Sequence, residues 1–205
     1  MSVDANLVLA SGSRARREML EAAGIVFTVQ RPDVDEDAIR AALRDESGLP
    51  TVEPGDVAEI LAVAKAEAVS HLQPDAFVIG ADQVLEFGAN VLTKPKHELA
   101  ARTQLKSLRG KAHSLHSAVA IAHSGTMIWS ITDLAEMHVR DFSDAFLDDY
   151  LERAGPAVVE SVGAYFIEGL GIQLFERIDG DYFTVLGMPL LPLLAELRAR
   201  KLILA

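Results

Sequence analysis

The first half of the chain alternates short apolar runs with stretches of helical periodicity. Continuous apolar runs over 7–10 and 77–81 are typical of strands covered on both faces. A third short strand is predicted over 25–30. Apolar residues recur at helical spacing over 14–23 and 54–71, and an acidic run at 33–37 starts a weaker helical stretch. This alternation indicates a sheet that is flanked by helices.

The second half has longer predicted strands. A hairpin is predicted from 84–87 and 91–92, followed by a helix over 97–108. Partial alternation over 112–139 predicts two long antiparallel strands, and Ser143 is placed to cap a helix. A glycine-rich loop over 163–171, a hairpin of 172–178 with 182–185, and a helix from near Pro189 complete the prediction. The predicted fold class is therefore α/β with a mixed twisted sheet and flanking helices.

Composition narrows the class of protein. The 205 residues are 50% hydrophobic and 24% charged, which is enough for one domain over 1–205 with a sizeable core. A formal net charge of -11 argues against polymeric nucleic acid or an anionic membrane as a partner. No apolar run reaches membrane-spanning length and no secretory signal is recognised, so we expect a cytoplasmic protein. The lack of cysteine excludes disulfides and thiolate chemistry.

The turn after the first strand has an unusual charge pattern. Ser13 is placed to cap the first helix, whose opening turn contains Arg14, Arg16 and Arg17. Each arginine at a helix start costs roughly 0.3–1 kcal/mol, because the helix dipole favours negative charge there. A bound phosphate would reverse that penalty, since free amides, the dipole and the guanidinium groups would converge on one anion. A solvated basic patch is the alternative interpretation.

Carboxylates and lysines elsewhere could complete such a site. Asp82 follows the apolar run at 77–81 and is predicted where that strand ends or changes partner, a position that holds a base or a metal ligand rigidly. Glu36 lies at a predicted helix start, and Lys65 and Lys94 could each place an ammonium on a phosphate. A turn-forming aspartate, a helix-start glutamate and surface lysines are the alternatives. Together these residues fit phosphoryl chemistry with a hard divalent ion.

Other chemistries lack their motifs in this sequence. No histidine pair has the helical spacing of a zinc site, and no Walker loop is found. The glycines of 163–171 do not follow a strand and open a helix, as a dinucleotide fingerprint requires. A nucleophile elbow for serine chemistry is also missing.

Taken in order, the motifs resemble one known family. The chain is similar to the Maf nucleoside triphosphate pyrophosphatases over nearly its whole length, and several weak motifs occur in matching order and spacing. The motifs are Leu9-Ala10-Ser11-Gly12-Ser13, Arg16-Arg17-Glu18-Met19-Leu20, Asp33-Val34-Asp35-Glu36, Gly80-Ala81-Asp82, Lys94-Pro95, Gly163-Ala164-Tyr165, Glu168-Gly169 and Gly187-Met188-Pro189-Leu190.

The resemblance implies a fold, an activity and a set of site residues. It implies two lobes around a deep cleft, as in the inosine triphosphate pyrophosphatases, and house-cleaning hydrolysis of a nucleoside triphosphate to the monophosphate and pyrophosphate. A divalent cation, Mg²⁺ or Mn²⁺, would be held by Glu36 and Asp82. The implied catalytic residues are Asp82 as proton acceptor for water, Glu36, Lys65 and Lys94. The implied substrate-binding residues are Ser11, Ser13, Arg16 and Glu168.

The substrate base is left open by the resemblance. Gln83 and Glu168 look like the branch that acts on 7-methyl-GTP, and Ala15 stands where many members have arginine. Tyr165, however, is similar to the branch that acts on dTTP and UTP. A cationic 7-methylguanine would favour a nearby carboxylate such as Glu168.

Other functions and assemblies fit the same residues. A nucleotide-binding regulator of cell division or septum formation, without significant turnover, is the main alternative. An ordinary NTPase and a nucleotidyl transferase are further alternatives, although the turn of the transferases is usually longer and richer in glycine. Apolar residues on the late strands leave room for a homodimer.

Overall fold

The computed structural model describes residues 6–45, 47–48 and 50–204. The predicted domain over 1–205 therefore includes residues 1–5, 46, 49 and 205, which lie outside the described residues. The strands of the described part are β1 (Leu7–Ala10), β2 (Thr28–Val29), β3 (Phe77–Phe87), β4 (Asn90–Leu92), β5 (Ala112–His123), β6 (Thr126–Val139) and β7 (Phe175–Asp179).

Helices cover both faces of the strands. They are α1 (Arg14–Ala22), α2 (Glu36–Ala42), α3 (Pro54–Leu72), α4 (Glu98–Leu108), α5 (Asp144–Ala154), α6 (Tyr182–Val185) and α7 (Leu190–Ala199), with 3-10 turns at Gly155–Glu160 and Leu170–Leu174. The side chains of Ser13 and Ser143 cap α1 and α5, as predicted. None of the described helices is long and apolar enough to cross a membrane.

One mixed sheet joins all the strands. Its order is β2-β1-β3-β5-β6-β7, and β4 also pairs with β3. β1 is parallel to β2 and β3, whereas the other pairings are antiparallel. The predicted α/β class with a mixed sheet and flanking helices is therefore confirmed. The long hairpin over 112–139 and the short one after 84 are confirmed as well.

One edge of β3 changes partner along its length. Its first residues pair with β1 up to Gly80, and its last residues pair with β4 from Leu85 onwards. Over 81–84 the described residues provide no strand partner on that edge, while β5 pairs with the other edge throughout. A gap in the sheet therefore opens where β1 ends, and Asp82 lies in it.

The buried apolar side chains form three clusters around this gap. One packs α3 on one face of β1, β3 and β5, and a second packs α1 and α7 on the opposite face. The third joins α4, α5 and the far ends of β3, β5 and β6. The core is thus divided between the two ends of the long strands, with the gap between them.

Gly80 sets how closely α3 approaches β3. A Cβ atom on Gly80 would lie 2.2 Å from the Ala62 carbonyl oxygen and 2.7 Å from the Ala66 backbone nitrogen. Only glycine permits this backbone approach. Lys65, on the same helix, is brought against β3 as a result.

Two local predictions were wrong. The strand does not end at Asp82, because β3 continues to Phe87 through its ladder with β5, whereas the predicted alternative, a change of partner at this point, is confirmed on the other edge. The predicted strand at 182–185 is the short helix α6, and β7 pairs with β6 rather than with it. The reason is that the Asp181 side chain accepts hydrogen bonds from the Phe183 and Thr184 amides and caps a helical turn. Two residues alone form β2, which is shorter than predicted.

Candidate active site

The turn between β1 and α1 is held by its own serine side chains. Ser11 Oγ accepts a hydrogen bond from the Ser13 amide at 3.2 Å, and Ser13 Oγ accepts one from the Arg16 amide at 3.4 Å. Ser11 is buried, whereas Gly12 is exposed. The first amides of a helix have no acceptor within the helix, so this turn presents donors that suit an anion.

Arg16 is the buried arginine of the first helical turn. Its Nε donates to the Gly187 carbonyl at 2.9 Å, and its Nη1 donates to the Ala81 carbonyl at 2.6 Å and to Ser11 Oγ at 3.5 Å. The Ala81 carbonyl belongs to the part of β3 that lies in the gap. Burial lowers the pKa of the guanidinium, and the charges of Asp82 and Glu36 oppose that shift. Arg16 therefore ties α1 to the gap and brings a positive charge to its wall.

The other two arginines of this turn are exposed and paired locally. Arg14 pairs with Glu18 at 3.1 Å, and Arg17 pairs with Glu21 at 3.7 Å, each one helical turn away. Such exposed pairs account for the basic character at these two positions. Arg16 alone of the three arginines turns toward β3.

A buried ion pair lies in the gap. Lys65 Nζ is 2.5 Å from Asp82 Oδ1 and 2.8 Å from Glu36 Oε1, and the side chains of Lys65 and Asp82 are only 8% and 7% exposed. Desolvation raises the pKa of Glu36, but the hydrogen bond and charge of Lys65, with the charges of Arg40 and Lys94, outweigh it and lower that pKa overall. One ammonium thus bridges the two carboxylate side chains.

Arg40 completes this group on the other side. Its Nη2 lies 3.3 Å from Asp82 Oδ2 and 3.7 Å from Glu36 Oε2. Two carboxylates and two cations therefore alternate, and each cation faces both carboxylates. We call Glu36, Arg40, Lys65 and Asp82 the charge ring.

Lys94 lies near the charge ring without an ion pair among the described residues. The residue is exposed and follows β4, next to the buried Pro95. Desolvation, and then the positive charge of Arg16, lower the pKa of its ammonium, and Lys65 lowers it further, while Glu36 and Asp82 oppose the shift. The structure therefore brings Lys94 within electrostatic reach of the predicted site.

Glu168 is a predicted site residue that the described contacts do not join to the charge ring. It is exposed, and no hydrogen bond or ion pair links it to the charge ring within the described ranges. Two buried contacts anchor the loop that carries Glu168. Tyr150 OH donates to the Ala164 carbonyl at 3.0 Å, and Tyr165 OH lies 2.6 Å from His113 Nε2. A role for Glu168 stays a prediction.

Comparison with protein families gives the same assignment for most of the chain. The family model described as Maf-like protein matches residues 6–200. This chain belongs to the Maf-like protein family.

Relatives of this Maf-like chain have two kinds of name. It is 49% identical over 191 residues to the nucleoside triphosphate pyrophosphatase of Maricaulis maris, covering 93% of this chain and 94% of that one. It is 51% identical over 197 residues to the 7-methyl-GTP pyrophosphatase of Brucella abortus biovar 1, covering 96% and 97%. Among solved structures, it is similar to the Ham1 protein of Staphylococcus aureus, with a TM-score of 0.42 and 16% identity over 66% of this chain and 72% of that one.

Arg40 was missed in the sequence analysis of this Maf-like chain. Its position four residues after Glu36 places both on one helix face, which was the available signal. The local sequence does not show that Arg40 contacts Asp82, because Arg40 and Asp82 are 42 positions apart. The contact depends on how α2 docks beside β3.

A second charged group lies elsewhere on the sheet of the Maf-like fold. Ligand atoms of Glu136, His138 and Asp179 lie within 4.8 Å of one another. Arg177 pairs with Asp179 at 2.9 Å and lies 2.8 Å from His138 Nε2, so ion pairing accounts for this group. His138 pairs with Ala112 of β5, whereas Asp82 pairs with Ala118 of the same strand. These two positions are six residues apart, which corresponds to about 20 Å at the usual rise of a strand. It is therefore separate from the charge ring.

Proposed function

We propose that this Maf-like protein hydrolyses a nucleoside triphosphate to the monophosphate and pyrophosphate, in a house-cleaning role. The observation that supports it is the buried Lys65–Asp82 pair in the gap of β3, with Glu36 beside it and Arg16 in the wall. A fixed carboxylate surrounded by cations suits attack of water on a polyphosphate, where charge stabilisation is the main task. The names of the relatives agree with this reaction.

In this proposal Asp82 orients the attacking water and accepts its proton. Both of its oxygens already contact a cation, Lys65 at one and Arg40 at the other. A carboxylate has about four lone-pair sites, so it can still accept a hydrogen bond from water.

The positive residues would hold the triphosphate. The turn of Ser11 and Ser13 with the start of α1 offers donors to phosphate, and Arg16 offers the part of its guanidinium that does not bind the two carbonyls. Lys94 has no ion pair among the described residues, so its ammonium is available for a phosphate. Lys65 lies between Asp82 and Glu36, beside the position that the triphosphate would take in this proposal.

Glu36 and Asp82 are the residues that would hold Mg²⁺ or Mn²⁺. Their oxygens already converge on cations, one oxygen of each on the Lys65 ammonium and the other oxygen of each on the Arg40 guanidinium. Two carboxylates with water and phosphate oxygens are the usual ligands of Mg²⁺ in nucleotide enzymes. When bound, the metal would neutralise charge on the phosphates.

The base of the substrate is the finer part of the proposal. Glu168 and Gln83 favour 7-methyl-GTP, for which the relative from Brucella abortus is named. Gln83 Nε2 donates to Ser117 Oγ at 2.9 Å and to the Val185 carbonyl at 3.0 Å, so it also fixes α6. Gln83 therefore also supports the segment before Gly187, whose carbonyl accepts a hydrogen bond from Arg16.

A nucleotide panel tests this function. The purified chain, with Mg²⁺ or Mn²⁺, is given ordinary nucleoside triphosphates and 7-methyl-GTP, and pyrophosphate is assayed separately from orthophosphate. We expect pyrophosphate and the monophosphate. Orthophosphate would indicate an ordinary NTPase, and nucleotide binding without turnover would support a regulator. Either result would refute the proposal.

Asp82→Asn tests the assigned base. The variant keeps the shape and loses the charge, so we expect pyrophosphate release to fall by about 10²- to 10⁴-fold. Circular dichroism and thermal melting establish that the fold is retained. Turnover within about threefold of the parent protein would remove Asp82 from this role, because loss of a general base costs far more.

The domain, location and partners of the enzyme are also part of the proposal. We expect one Maf-like domain over 1–205, a cytoplasmic location and no membrane or polymeric nucleic-acid partner. A homodimer stays a prediction, and Leu134 and Ile172, which are 50% and 47% exposed, are the apolar residues near the late strands that suit one. Sedimentation or light scattering would measure the oligomeric state.

A further inference from the structure

Arg40 closes the charge ring on its more exposed side. Its Nη2 faces Oδ2 of Asp82 and Oε2 of Glu36, while Lys65 faces Oδ1 and Oε1 of the same two carboxylates. Two positive and two negative charges therefore balance. Any further cation that binds these carboxylates has to share oxygens with a cation that is already there.

The two cations of the charge ring are held differently. The Lys65 side chain is 8% exposed and extends from α3, which packs closely on β3 at Gly80. The Arg40 side chain is 22% exposed and extends from α2, a seven-residue helix with no buried residue. Moving Arg40 into water requires less loss of packing than moving Lys65. Arg40 is thus the cation that can be displaced.

We propose that Arg40 sets the affinity of the Glu36–Asp82 carboxylate pair for a divalent cation by competing for the same oxygens. The inference rests on the proposed function, in which that carboxylate pair binds the metal ion. In the nucleotide-free protein, Arg40 balances the carboxylates and lowers their affinity for free metal ion. A metal that arrives with a triphosphate brings negative charge with it, so the displaced guanidinium gains an alternative partner. Arg40 is a positioning residue that favours the metal–nucleotide complex over the free ion.

Binding of Mn²⁺ to the nucleotide-free full chain tests this competition. Isothermal titration calorimetry and electron paramagnetic resonance of unbound Mn²⁺ both report it without any turnover. For Arg40→Ala we expect the dissociation constant for Mn²⁺ to fall about tenfold. Loss of one positive charge that contacts the same carboxylates, in a partly exposed site, removes a repulsion of about this size. Arg40→Lys keeps the charge and should stay within about threefold of the parent protein.

Arg44 provides a matched control on the same segment. It is exposed, and its Nη1 donates to the Gly48 carbonyl at 2.8 Å rather than to the charge ring. Arg44→Ala removes the same overall charge, so its Mn²⁺ affinity should equal that of the parent protein. A rise in affinity for Arg44→Ala as large as that for Arg40→Ala would show a general charge effect and overturn the proposal.

Glu36→Gln locates the bound ion. Combined with Arg40→Ala, it should abolish the gain in Mn²⁺ affinity, and a gain that persists would overturn the proposal. An Mn²⁺ dissociation constant for Arg40→Ala that is unchanged or higher would also overturn it, and Arg40→Gln gives the same test if the alanine variant does not fold. Failure of the proposed function would be seen separately, as absence of pyrophosphate release by the parent protein.

Discussion

Gly80→Ala tests whether close packing of α3 on β3 builds the site. The new Cβ would lie 2.2 Å from the Ala62 carbonyl oxygen and 2.9 Å from Ala66 Cβ, whereas ordinary contact begins near 3.4 Å. The first contact is with backbone, which cannot rotate away, so α3 has to move by about 1 Å. Overpacking of a core costs about 1–3 kcal/mol, and contact with backbone places this change near 3 kcal/mol. For a domain of this size, that lowers the melting temperature by about 6–12 °C.

The same displacement should weaken the charge ring. Lys65 Nζ and Asp82 Oδ1 are 2.5 Å apart, and a shift of about 1 Å takes the pair to the limit of a hydrogen bond. We therefore expect lower pyrophosphate release as well as lower stability, measured by steady-state assay and urea unfolding.

Gly55→Ala is the matched control, because Gly55 is on the same helix and its Cβ would meet only ordinary contacts from 3.5 Å. It should change stability by less than about 1 kcal/mol. Equal stability and activity of Gly80→Ala and the parent protein would refute the packing argument.

Two further changes test buried polar groups. Arg16→Lys keeps the charge but cannot donate to the Ala81 and Gly187 carbonyls as a fork, so the free energy of unfolding in urea should fall by about 2 kcal/mol and KM for the triphosphate should rise. A variant with parent stability would contradict the assigned contacts. Burial lowers the pKa of His113 from 6.5 to about 4, with His138 adding to the shift. Between pH 6.5 and about 4 the unfolded chain therefore binds more protons than the folded chain. The free energy of unfolding consequently falls as the pH drops through this range, by up to about 3 kcal/mol. His113→Phe should reduce this pH dependence in urea unfolding, and an unchanged dependence would contradict the assignment to His113.

The sequence determined the elements whose causes are local. Ser13 and Ser143 cap helices where the pattern placed them, and the runs at 7–10 and 77–81 are buried strands. Capping and periodicity act over a few residues, so they can be recognised without knowing the packing. The sequence also singled out Glu36, Lys65 and Asp82 as candidate site residues, and the structure brings them together.

How these elements meet depends on packing between distant parts of the chain. The ladder with β5 carries β3 past Asp82, and an aspartate cap turns 182–185 into a helix although its residues suit a strand. Arg40 reaches Asp82 across 42 positions, a contact that no local spacing encodes. The sequence around Gly80 does not show that the backbone of α3 packs directly against this glycine. The sequence alone thus determined which charges are present, and packing decided which of them face each other, because burial and distance set the strength of a charge interaction.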